Sequence, residues 1–546
     1  MRNNILAGLT VGIIALPLSM ALAIAIGVPP QNGLYTAIIA GIFASIFGSS
    51  KVNISGPTAA FVVILIPIVQ EFGLKGLLIC GLLSGFILLL MGLLKLGTLI
   101  ELIPYPVTVG FTTGIAVVIA IFQIKNFFGL EIESFSGHFH QKIYLLINNF
   151  NTFQINEFIV GFATLFILII WAKLKSKIPA PLIALSLSTI ATVLISEIYP
   201  NIQVSTIAST FQYNINGIVG KGIPSIPLQF SLPWAEYTLD DLNLDMFYKI
   251  LPHSVAIAIL GALESLLCAV ITDGMTGNRT NPNKELIGQG LANIVVPFFG
   301  GIPATAAIAR SAANVKSGGN LKLSSIVHSI FIFISIVFFA SYLSYLPMAS
   351  LSALLLVVAW NMSEVKHFIN IIKVAPKYDV YVLLTCFILT IFLDMQIAVG
   401  VGMALASILF IKRTIELYSI ELINKEHPIV YENIPSNAII YNINGPMFFG
   451  AAQNALRTLV STKEDVKYII LNMDNVTIID MTALVAIKSI IDNLNRNKKI
   501  LLMTGINERI LKKFTKVGII FDSKRLILKA NINSALKSIP IDNNIS

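Results

Sequence analysis

Charge is what this chain of 546 residues lacks: only 12% of its residues are Asp, Glu, Lys or Arg, whereas 55% are hydrophobic. Soluble domains carry about 25% charged residues. The mean hydropathy is +0.82. Apolar stretches of roughly 18 residues or more, each long enough to cross a bilayer, recur from Ile5 to Ile411. The composition excludes an ordinary soluble enzyme and predicts a polytopic α-helical membrane protein.

Reactive and metal-binding residues are also scarce. The three cysteines, Cys80, Cys268 and Cys386, all lie in apolar segments, so no disulfide framework or metal cluster is expected. The six histidines form no metal-ligand pattern. No G-x-x-x-x-G-K loop occurs, so ATP does not drive the protein. We therefore expect no cofactor, no metal and no enzymatic activity. The net charge of +9 does not indicate nucleic-acid binding, because the Lys and Arg residues are scattered over loops.

The apolar stretches predict about fourteen membrane segments, several of them short. The first starts almost at once, is longer than a signal-peptide core and continues into a second span, so we interpret it as a retained span. The predicted segments are 5–27, 34–48, 58–70, 74–94, 99–123, 155–174, 179–197, 251–272, 285–298, 304–314, 322–341, 346–361, 378–393 and 396–411.

The basic residues predict the orientation. With the N-terminus inside, the cytoplasmic loops carry an excess of Lys and Arg, and the long external segment 198–250 is acidic. This bias predicts an even number of spans and two cytoplasmic termini. The cytoplasmic basic residues are Lys51, Lys95, Lys173, Lys175, Lys177, Arg279, Lys284, Lys316, Lys322, Lys366, Lys373 and Lys377. The external segment holds Asp240, Asp241 and Asp245 against Lys221 and Lys249.

The character of the chain changes after about residue 425. Strand-like runs alternate there with amphipathic stretches, which predicts a small cytoplasmic α/β domain. The strand-like runs are 438–444, 468–473 and 499–504, and the amphipathic stretches are 451–459, 482–495 and 508–517. We assign residues 1–415 to the membrane domain, 416–430 to a linker and 431–541 to the α/β domain.

Two interrupted segments suggest an internal repeat. Residues 55–61 (SGPTAAF) and 300–307 (GGIPATAA) each place Gly and Pro ahead of a helix start made of small residues. They fall in the third and tenth predicted spans, seven apart. Because seven is odd, the two halves have inverted topology. Such a matched pair of broken segments points to the midplane site of a transporter.

The predicted helix starts have a direct electrostatic consequence. A helix that begins in mid-membrane leaves unpaired N–H groups and the positive end of its dipole in a cavity. Two such ends facing one another bind an anion without a fixed cation. Either motif alone is more simply a turn before an ordinary helix; the pair favours a site. Thr58 and Thr305 lie at the broken starts, where a hydroxyl caps the helix or contacts substrate, and we favour capping.

One carboxylate lies in the eighth predicted span. Glu264 sits in the apolar run 254–272, and a charge in hydrocarbon costs at least a few kcal/mol, so Glu264 indicates a functional site. Ser265 and Cys268 lie close to it on the same helix. Arg310, one turn into the tenth span, either adds positive potential beside the helix start or pairs with Glu264. The two interpretations carry equal weight.

These residues resemble the SulP family of anion transporters, the sulfate-permease group. The resemblance rests on the stretches 15–61 (from ALPLSMALAIAIG to GPTAAF) and 261–319 (from GALESLLCAVITDGMTG to SAANVKSGG). Residues 445–452 (GPMFFGAA) and 478–487 (IIDMTALVAI) resemble the STAS domain that follows many such transporters.

The resemblance implies a fold of seven plus seven inverted repeats in a bacterial inner membrane, usually as a homodimer. Spans 1–4 and 8–11 would form a core domain, and spans 5–7 and 12–14 a gate domain. The core would move against the gate as an elevator, with substrate between the third and tenth spans. The candidate substrate-binding residues are Thr58, Ala59, Ala60, Ser265, Cys268, Thr305, Ala306, Ala307 and Arg310.

Within the family, three stretches look nearest to the bacterial C4-dicarboxylate branch, the DauA type: 263–270, 298–315 and 354–364. The sodium-coupled bicarbonate branch has Asp where Glu264 stands, and Thr where Cys268 and Ile308 stand. Replacing hydroxyls by sulfur and an alkyl group removes the hard oxygen ligands that a sodium ion prefers. We therefore expect Glu264 to carry a proton, as a lone buried carboxylic acid readily does.

The sequence thus predicts proton-coupled uptake of succinate, fumarate or aspartate. One alternative is a carrier for sulfate or bicarbonate, since fixed dipoles accept any small anion. Another is an anion channel, which Glu264 disfavours because a carboxylate repels a freely permeating anion. A third is a transporter-like sensor whose output is the STAS domain.

The STAS region carries one further candidate. Thr482 follows Asp480 at a predicted helix start, and its position resembles the phospho-acceptor of small regulatory STAS proteins. A phosphate there meets a favourable helix dipole. A simple N-cap, formed by Asp480 or Thr482, is the favoured interpretation. We expect this domain to support dimerisation or bind a regulatory protein, without catalysis.

Overall fold

The structure is a computed structural model of the chain. It describes residues 1–100, 103–132, 137, 139–174, 176, 178–215, 218–225, 228–235, 244–393, 395–416, 419–423, 434–448, 466–523 and 525–540. The chain divides into two compact units, Met1–Ala406 and Ser407–Ser546.

The first unit is built almost entirely of helices. In chain order these are α1 (Arg2–Ala25), α2 (Pro30–Phe47), α3 (Ala59–Leu93), α4 (Gly97–Ile100), α5 (Tyr105–Phe127), α6 (Phe139–Asn148), α7 (Ile155–Lys173), α8 (Ala180–Ile198), α9 (Ile207–Thr210), α10 (Leu244–Thr276), α11 (Pro282–Val295), α12 (Ile308–Lys316), α13 (Leu323–Leu343), α14 (Met348–Met362), α15 (Val365–Val374), α16 (Lys377–Phe392) and α17 (Met395–Glu416). Short 3₁₀ turns cover Phe150–Thr152 and Val296–Phe299. The strands are β1 (Ser55–Gly56), β2 (Gln212–Ile215), β3 (Ile218–Lys221) and β4 (Thr305–Ala306).

Helix α3 contains two predicted spans. Gly73 interrupts it with φ 67°, a conformation that glycine adopts readily. Phe61 and Leu88, on opposite sides of this glycine, both approach Gly261 of α10, so the two arms of α3 fold back alongside one another. The separate predictions for 58–70 and 74–94 are therefore confirmed as two arms that meet at the kink of Gly73.

Nine helices within the described residues are long and apolar enough to cross a membrane. The other predicted spans correspond to shorter helices, as α11 and α12 show. Three predicted boundaries were wrong. Helix α5 begins at Tyr105 rather than 99, after Pro104; α10 is longer than 251–272; and residues 304–307 are extended, so α12 begins only at Ile308.

The helices of the first unit pack in two groups. The core group contains α1, α2, α3, α10, α11, α12 and α13, which pack mainly against one another. The gate group contains α5, α7, α8, α14 and α16, with α14 central to it. Gly402 of α17 lies against Val107 of α5 and Cys386 of α16, so α17 joins the gate group. These groups match the predicted division into spans 1–4 and 8–11 against 5–7 and 12–14.

The second unit is an α/β fold. Its strands are β5 (Ser419–Leu422), β6 (Ala438–Asn444), β7 (Tyr468–Asn475), β8 (Ile500–Thr504), β9 (Asp522–Ser523) and β10 (Leu526–Lys529), and its helices are α18 (Met481–Arg496), α19 (Glu508–Lys516) and α20 (Ile532–Lys537). The sheet order is β5-β6-β7-β8-β10-β9, parallel from β6 to β10 and antiparallel at both edges. One face packs against α18 and α19, for instance through Ile487 and Phe514, and the other against α20 through Leu536.

The predicted α/β alternation is confirmed at β6, β7, β8, α18 and α19. Burial of both faces of a parallel sheet explains why its strands read as continuous apolar runs. The predicted stretch 451–459, most of the linker, and Lys175, Lys177, Asp240 and Asp241 lie outside the described residues.

Candidate functional site

The two interrupted segments meet in the core group. Strands β1 and β4 pair antiparallel, with Ser55 opposite Ala306 and Gly56 opposite Thr305. Each strand leads directly into a helix, β1 into α3 and β4 into α12. The pairing places the two helix starts on either side of one small antiparallel ladder. This is the juxtaposition that the repeat predicted.

Neither helix start is capped by a side chain. Thr58 is the N-cap residue of α3 and Ala307 that of α12, and neither makes a side-chain cap hydrogen bond. Within the described residues, the N–H groups of Ala59, Ala309 and Arg310 in these first turns stay available, whereas Phe61 N donates to Thr58 O at 3.3 Å. The favoured capping roles of Thr58 and Thr305 were wrong: Thr58 has an extended backbone but an unused hydroxyl, and Thr305 lies within β4.

A cavity of about 570 Å³ lies between the core and gate groups at these helix starts. Its core-side wall includes Glu264, and its gate-side wall comes from the first turns of α5 and the end of α14. Most of its lining is aliphatic, and we refer to it as the central cavity. The lining residues are Leu18, Leu22, Pro57, Thr58, Ala59, Tyr105, Thr108, Val109, Thr112, Glu264, Leu267, Ile271, Ala307, Ile308, Ala309, Arg310, Val358, Asn361, Met362, Glu364 and His367.

Glu264 is the acidic residue of the inner wall. It lies on α10 with Leu267 and Ile271, which follow at helical spacing on the same cavity-facing stripe. Its exposed fraction is 5%. No hydrogen bond or ion pair to this carboxylate is found among the described residues. An isolated buried carboxylate is costly when ionised, so its protonated form suits this position.

Arg310 lies in the first turn of α12 and is 2% exposed. Its Nη2 donates a hydrogen bond to the carbonyl oxygen of Pro57, which joins the second helix start to the first. A Cβ on Gly56 would lie 2.7 Å from Nη1, so the glycine makes room for the guanidinium. No ion pair with Glu264 forms within the described part of the chain. Two roles were considered for Arg310: pairing with Glu264, and adding positive potential beside the helix starts. Its position is consistent with the second role.

Ser265 and Thr305 lie behind the cavity wall. Their hydroxyl oxygens are 2.6 Å apart, and Thr305 also donates to the carbonyl of Gly261 at 3.0 Å. The amide of Ala306 donates to Ser265 Oγ. Both hydroxyl residues are fully buried and absent from the cavity lining. They attach β4 to α10 and are not among the lining residues of the cavity, and their substrate-binding role stays a prediction.

Cys268 likewise faces away from the cavity. Its thiol lies 3.5 Å from Asn53 Oδ1, which also accepts a hydrogen bond from Thr272. Ala60 and Ala306 are fully buried and do not line the cavity either. Of the predicted set, the structure brings together Thr58, Ala59, Glu264, Ala307 and Arg310 at the cavity surface.

A buried polar network that the sequence reading missed holds the first strand in place. Glu285 of α11 is 2% exposed and accepts hydrogen bonds from the amides of Ser49 and Ser50, both at 2.8 Å. Its other oxygen accepts from Asn53 Nδ2. Gln289, one turn further, donates to Ser55 Oγ at 2.8 Å. A second acidic residue in a small-residue segment was the available sequence signal.

The cavity mouth adds polar groups that were also missed. Asn361, Glu364 and His367 line it from the α14–α15 connection, and Tyr105 lines it from α5. Glu364 has a left-handed backbone with φ 43° and ψ 38°, uncommon for a residue other than glycine. Thr113 donates to the carbonyl of the adjacent Ser363 at 2.7 Å and so fixes this turn. The sequence signal for this turn is weak, because no periodicity marks a turn.

The arrangement suits an anion chemically. Unpaired helix N–H groups and one guanidinium provide donors and positive potential, and no fixed ion pair consumes them. A metal centre has no basis in the described ranges, which contain no cluster of three His, Cys, Asp or Glu residues.

In the second unit, Asp480 is the N-cap of α18, and its Oδ1 accepts a hydrogen bond from Ala483 N at 2.7 Å. The favoured N-cap interpretation is confirmed with Asp480 as the capping residue. Thr482 is exposed in the first turn.

Comparisons with known proteins agree with this architecture. A model of the sulfate permease family matches residues 1–386, and one of the STAS domain matches residues 429–535. "Putative sulfate transporter YvdB" of Bacillus subtilis (strain 168) is 38% identical over 520 residues, covering 95% of this chain and 94% of that protein. Bicarbonate transporter BicA of Picosynechococcus sp. (strain ATCC 27264 / PCC 7002 / PR-6) is 27% identical over 94% of this chain and 90% of its own.

Among solved structures, the murine Slc26a9 anion transporter in the inward-facing state superposes with a TM-score of 0.84. It is 18% identical and covers 98% of this chain and 91% of its own. At that identity the likeness concerns the fold alone, and it extends over both units.

Proposed function

Because the chain belongs to the sulfate permease family, as an anion transporter and not an enzyme, we propose that it imports C4-dicarboxylates together with protons. The central cavity carries this proposal. It combines a donor-rich end, formed by the starts of α3 and α12 with Arg310, and a remainder whose lining is half aliphatic and half polar or aromatic.

The donor-rich end suits one carboxylate. The N–H groups of Ala59, Ala309 and Arg310 belong to uncapped first turns, and the Arg310 guanidinium lies beside them. Helix N-termini favour negative charge, and more so where water is largely excluded. This geometry supports binding of a carboxylate by backbone N–H groups together with a single cationic side chain.

The aliphatic part of this remainder supports an organic anion. Leu22, Val109, Leu267 and Met362 are among the apolar residues that line the cavity. Such walls suit the methylene or vinyl carbons of succinate or fumarate, whereas a compact, strongly hydrated ion gains little from them. Asn361 and His367 at the mouth supply donors for a second carboxylate.

A carrier for sulfate or bicarbonate is the second candidate. The observation in its favour is the naming of two relatives: "Putative sulfate transporter YvdB" at 38% identity and "Bicarbonate transporter BicA" at 27%. The uncapped helix starts accept these oxyanions by the same dipoles.

Glu264 is the proposed proton carrier. Protonated, it removes the repulsion between its own carboxylate and an entering anion. Proton and anion then cross together, and deprotonation on the less acidic side favours release. The isolated burial of Glu264 in the same cavity as Arg310 supports this role.

An elevator movement of the core group is the proposed mechanism. Many hydrogen bonds tie both helix starts to their own group, among them Asn293 Nδ2 to Ala304 O, Thr36 Oγ1 to Ile302 O and Asn314 Nδ2 to Val52 O. A cluster fastened in this way moves as one body. A second cavity of about 390 Å³ lies at the opposite end of α5, at Asn126, and also touches the C-terminal end of α1 at Ala25. It supports access from the other side after such a movement.

The remaining parts of the proposal concern the location of the protein, its oligomeric state and the role of its STAS domain. We infer a bacterial inner-membrane location with both termini cytoplasmic, from the Lys and Arg bias of the loops. We further infer a homodimer and a STAS domain that binds a regulatory protein, with Thr482 as a phosphorylation site at the start of α18. If uptake is intact after deletion of residues 425–546, transport is the main function and sensing through the STAS domain is a secondary one.

The deciding experiment is uptake by purified protein in proteoliposomes. Labelled succinate, sulfate and bicarbonate are supplied separately, under an imposed pH gradient or an imposed sodium gradient. We expect succinate uptake driven by an acidic exterior and competed by fumarate. Sodium-driven bicarbonate uptake without succinate uptake would sink the proposal, and sulfate uptake alone would establish the second candidate. Currents far above carrier turnover would instead indicate a channel.

A further inference from the structure

Two buried polar side chains lie inside the core group: Arg310, which lines the central cavity, and His328, which does not. Arg310 Nε and Nη1, and both ring nitrogens of His328 on α13, have no hydrogen-bond partner among the described protein atoms. The exposed fraction is 2% for Arg310 and 0% for His328. Buried polar groups in native proteins almost always have partners, either protein or ordered water.

The two side chains approach the same helix at consecutive turns. A Cβ on Gly56 would lie 2.7 Å from Arg310 Nη1 and 3.3 Å from Cα of Ala37 on α2. A Cβ on Gly41, one turn further along α2, would lie 3.5 Å from His328 Nδ1. One helical turn rises about 5.4 Å. Both side chains therefore approach α2, at two consecutive turns of that helix.

Their hydrogen-bonding capacities are complementary through a third group. Arg310 has only donors to offer, and a neutral imidazole has one donor and one acceptor. A water molecule accepts from the guanidinium and donates to the imidazole acceptor. Buried waters make about three such bonds and occur where polar atoms would otherwise be unpaired.

We propose that ordered water bridges Arg310 to His328 within the core group, and that His328 is a positioning residue for the anion site. The bridge fixes the face of the guanidinium opposite to the one that binds Pro57, so that the charge stays directed at the two helix starts. His328 itself does not line the cavity. The positioning role rests on the proposed anion site, whereas the water bridge does not.

The bridge is tested by an experimental map of the full-length wild-type protein at a resolution that shows ordered water. We expect density within hydrogen-bond distance of both an Arg310 nitrogen and a His328 ring nitrogen. A dry contact, or a protein atom filling the gap, overturns the proposal. This outcome is independent of which anion is transported, so it separates failure of the bridge from failure of the proposed function.

The positioning role is tested by three variants in proteoliposomes. For His328→Leu we expect KM for the transported anion to rise about tenfold with little change in maximal rate, because binding of the anion is weakened. His328→Asn retains an acceptor and a donor, and we expect it to recover most of the affinity. Ser335→Ala is the matched control: this buried residue lies on the same helix, and its hydroxyl donates to the carbonyl of Phe331 within α13 at 2.8 Å.

An unchanged KM in His328→Leu, or equal losses in the Leu and Asn variants, overturns the positioning role. If the Leu variant does not fold, the Asn variant and the wild-type map decide. An Asn variant with wild-type KM and a hydrated gap supports the proposal, and a tenfold loss in that variant contradicts it.

Discussion

The starts of α3 and α12 share a backbone design but differ in chemistry. Each follows a two-residue strand of the β1–β4 ladder, and each lacks a side-chain cap. In the third helical position, α3 carries Phe61 and α12 carries Arg310. Phe61 is 1% exposed and packs against Gly261. Arg310, also buried, carries the positive charge of the cavity.

Because of this difference, both halves supply helix dipoles through their backbone, but only the second half supplies charged side chains. The shared backbone supplies the dipoles and the symmetry that an inverted movement requires. The unshared side chains concentrate the ionisable groups, Glu264 and Arg310, in the second half. The first half provides space: Gly56 accommodates the guanidinium, and Ala59 leaves the cavity open.

Removing the positive charge of Arg310 in the second half has the largest expected effect on transport. We expect Arg310→Leu to lower kcat/KM for the anion about 100-fold, about 3 kcal/mol, because a buried charge opposite the anion is lost. Phe61→Leu, at the matching position of α3, is the control and should change stability by about 1 kcal/mol with transport nearly intact. The two are compared in proteoliposome uptake and thermal unfolding. Equal losses of transport would show that the two starts are chemically equivalent.

Glu264→Gln tests the other charge of the second half. Its side chain keeps the size of a protonated carboxyl but cannot release a proton. We expect uptake to lose its dependence on the pH gradient while exchange of anion for anion persists within about threefold of wild type. Glu71→Gln, an exposed acid on α3, is the control. Full pH-driven accumulation by Glu264→Gln would remove this residue from the coupling mechanism.

Gly56→Ala tests the space offered by the first half. The added Cβ would meet Arg310 Nη1 at 2.7 Å, so the guanidinium must move. We expect KM to rise about tenfold with the fold preserved. Gly274→Ala on α10 has nothing within 4 Å of its Cβ and should leave KM unchanged. Saturation curves for both variants measure the effect, and a wild-type KM for Gly56→Ala would contradict a fixed position of Arg310.

Ser265→Ala has the smallest expected effect, because it removes an attachment and no charge. The bonds to Thr305 Oγ1 and Ala306 N are lost, while Thr305 keeps its bond to Gly261 O. We expect a loss of about 1 kcal/mol in stability and a Tm lower by about 3 °C, with a modest change in rate. Ser84→Ala, whose hydroxyl bonds only within its own helix, should shift Tm less. A large rise in KM for Ser265→Ala would instead indicate direct contact with substrate.

The site was predictable where the backbone alone creates it. The Gly and Pro residues of 55–61 and 300–307 mark extended segments before helices, and Glu264 is conspicuous in an apolar run. Which side of α10 faces the cavity was not predictable. Ser265 follows Glu264 directly and Cys268 lies one turn further along the helix. Ser265 nevertheless contacts Thr305, and Cys268 contacts Asn53. A helix with apolar residues on all sides gives no sequence signal for its cavity-facing stripe.

The polar network around Glu285 and the turn at Glu364 were not predictable for a related reason. The structural role of Glu285 depends on hydrogen bonds from the amides of Ser49 and Ser50, which lie more than two hundred positions earlier in the chain. The left-handed backbone at Glu364 follows from packing of α14 and α15 against α5, including the bond from Thr113. Local residue patterns do not report contacts of this range.

The sequence by itself determined the membrane class, the two matched helix starts, the α/β character of the C-terminal part and the position of one buried acid. Each follows from local composition or spacing, which acts through hydrophobicity and backbone conformation. Only the tertiary structure decided that Arg310 bonds to Pro57 and not to Glu264, and that Ser265, Cys268 and Thr305 lie behind the cavity wall. These outcomes depend on how α10 and α12 are rotated against β1 and β4, and that rotation is fixed by packing across the whole core group.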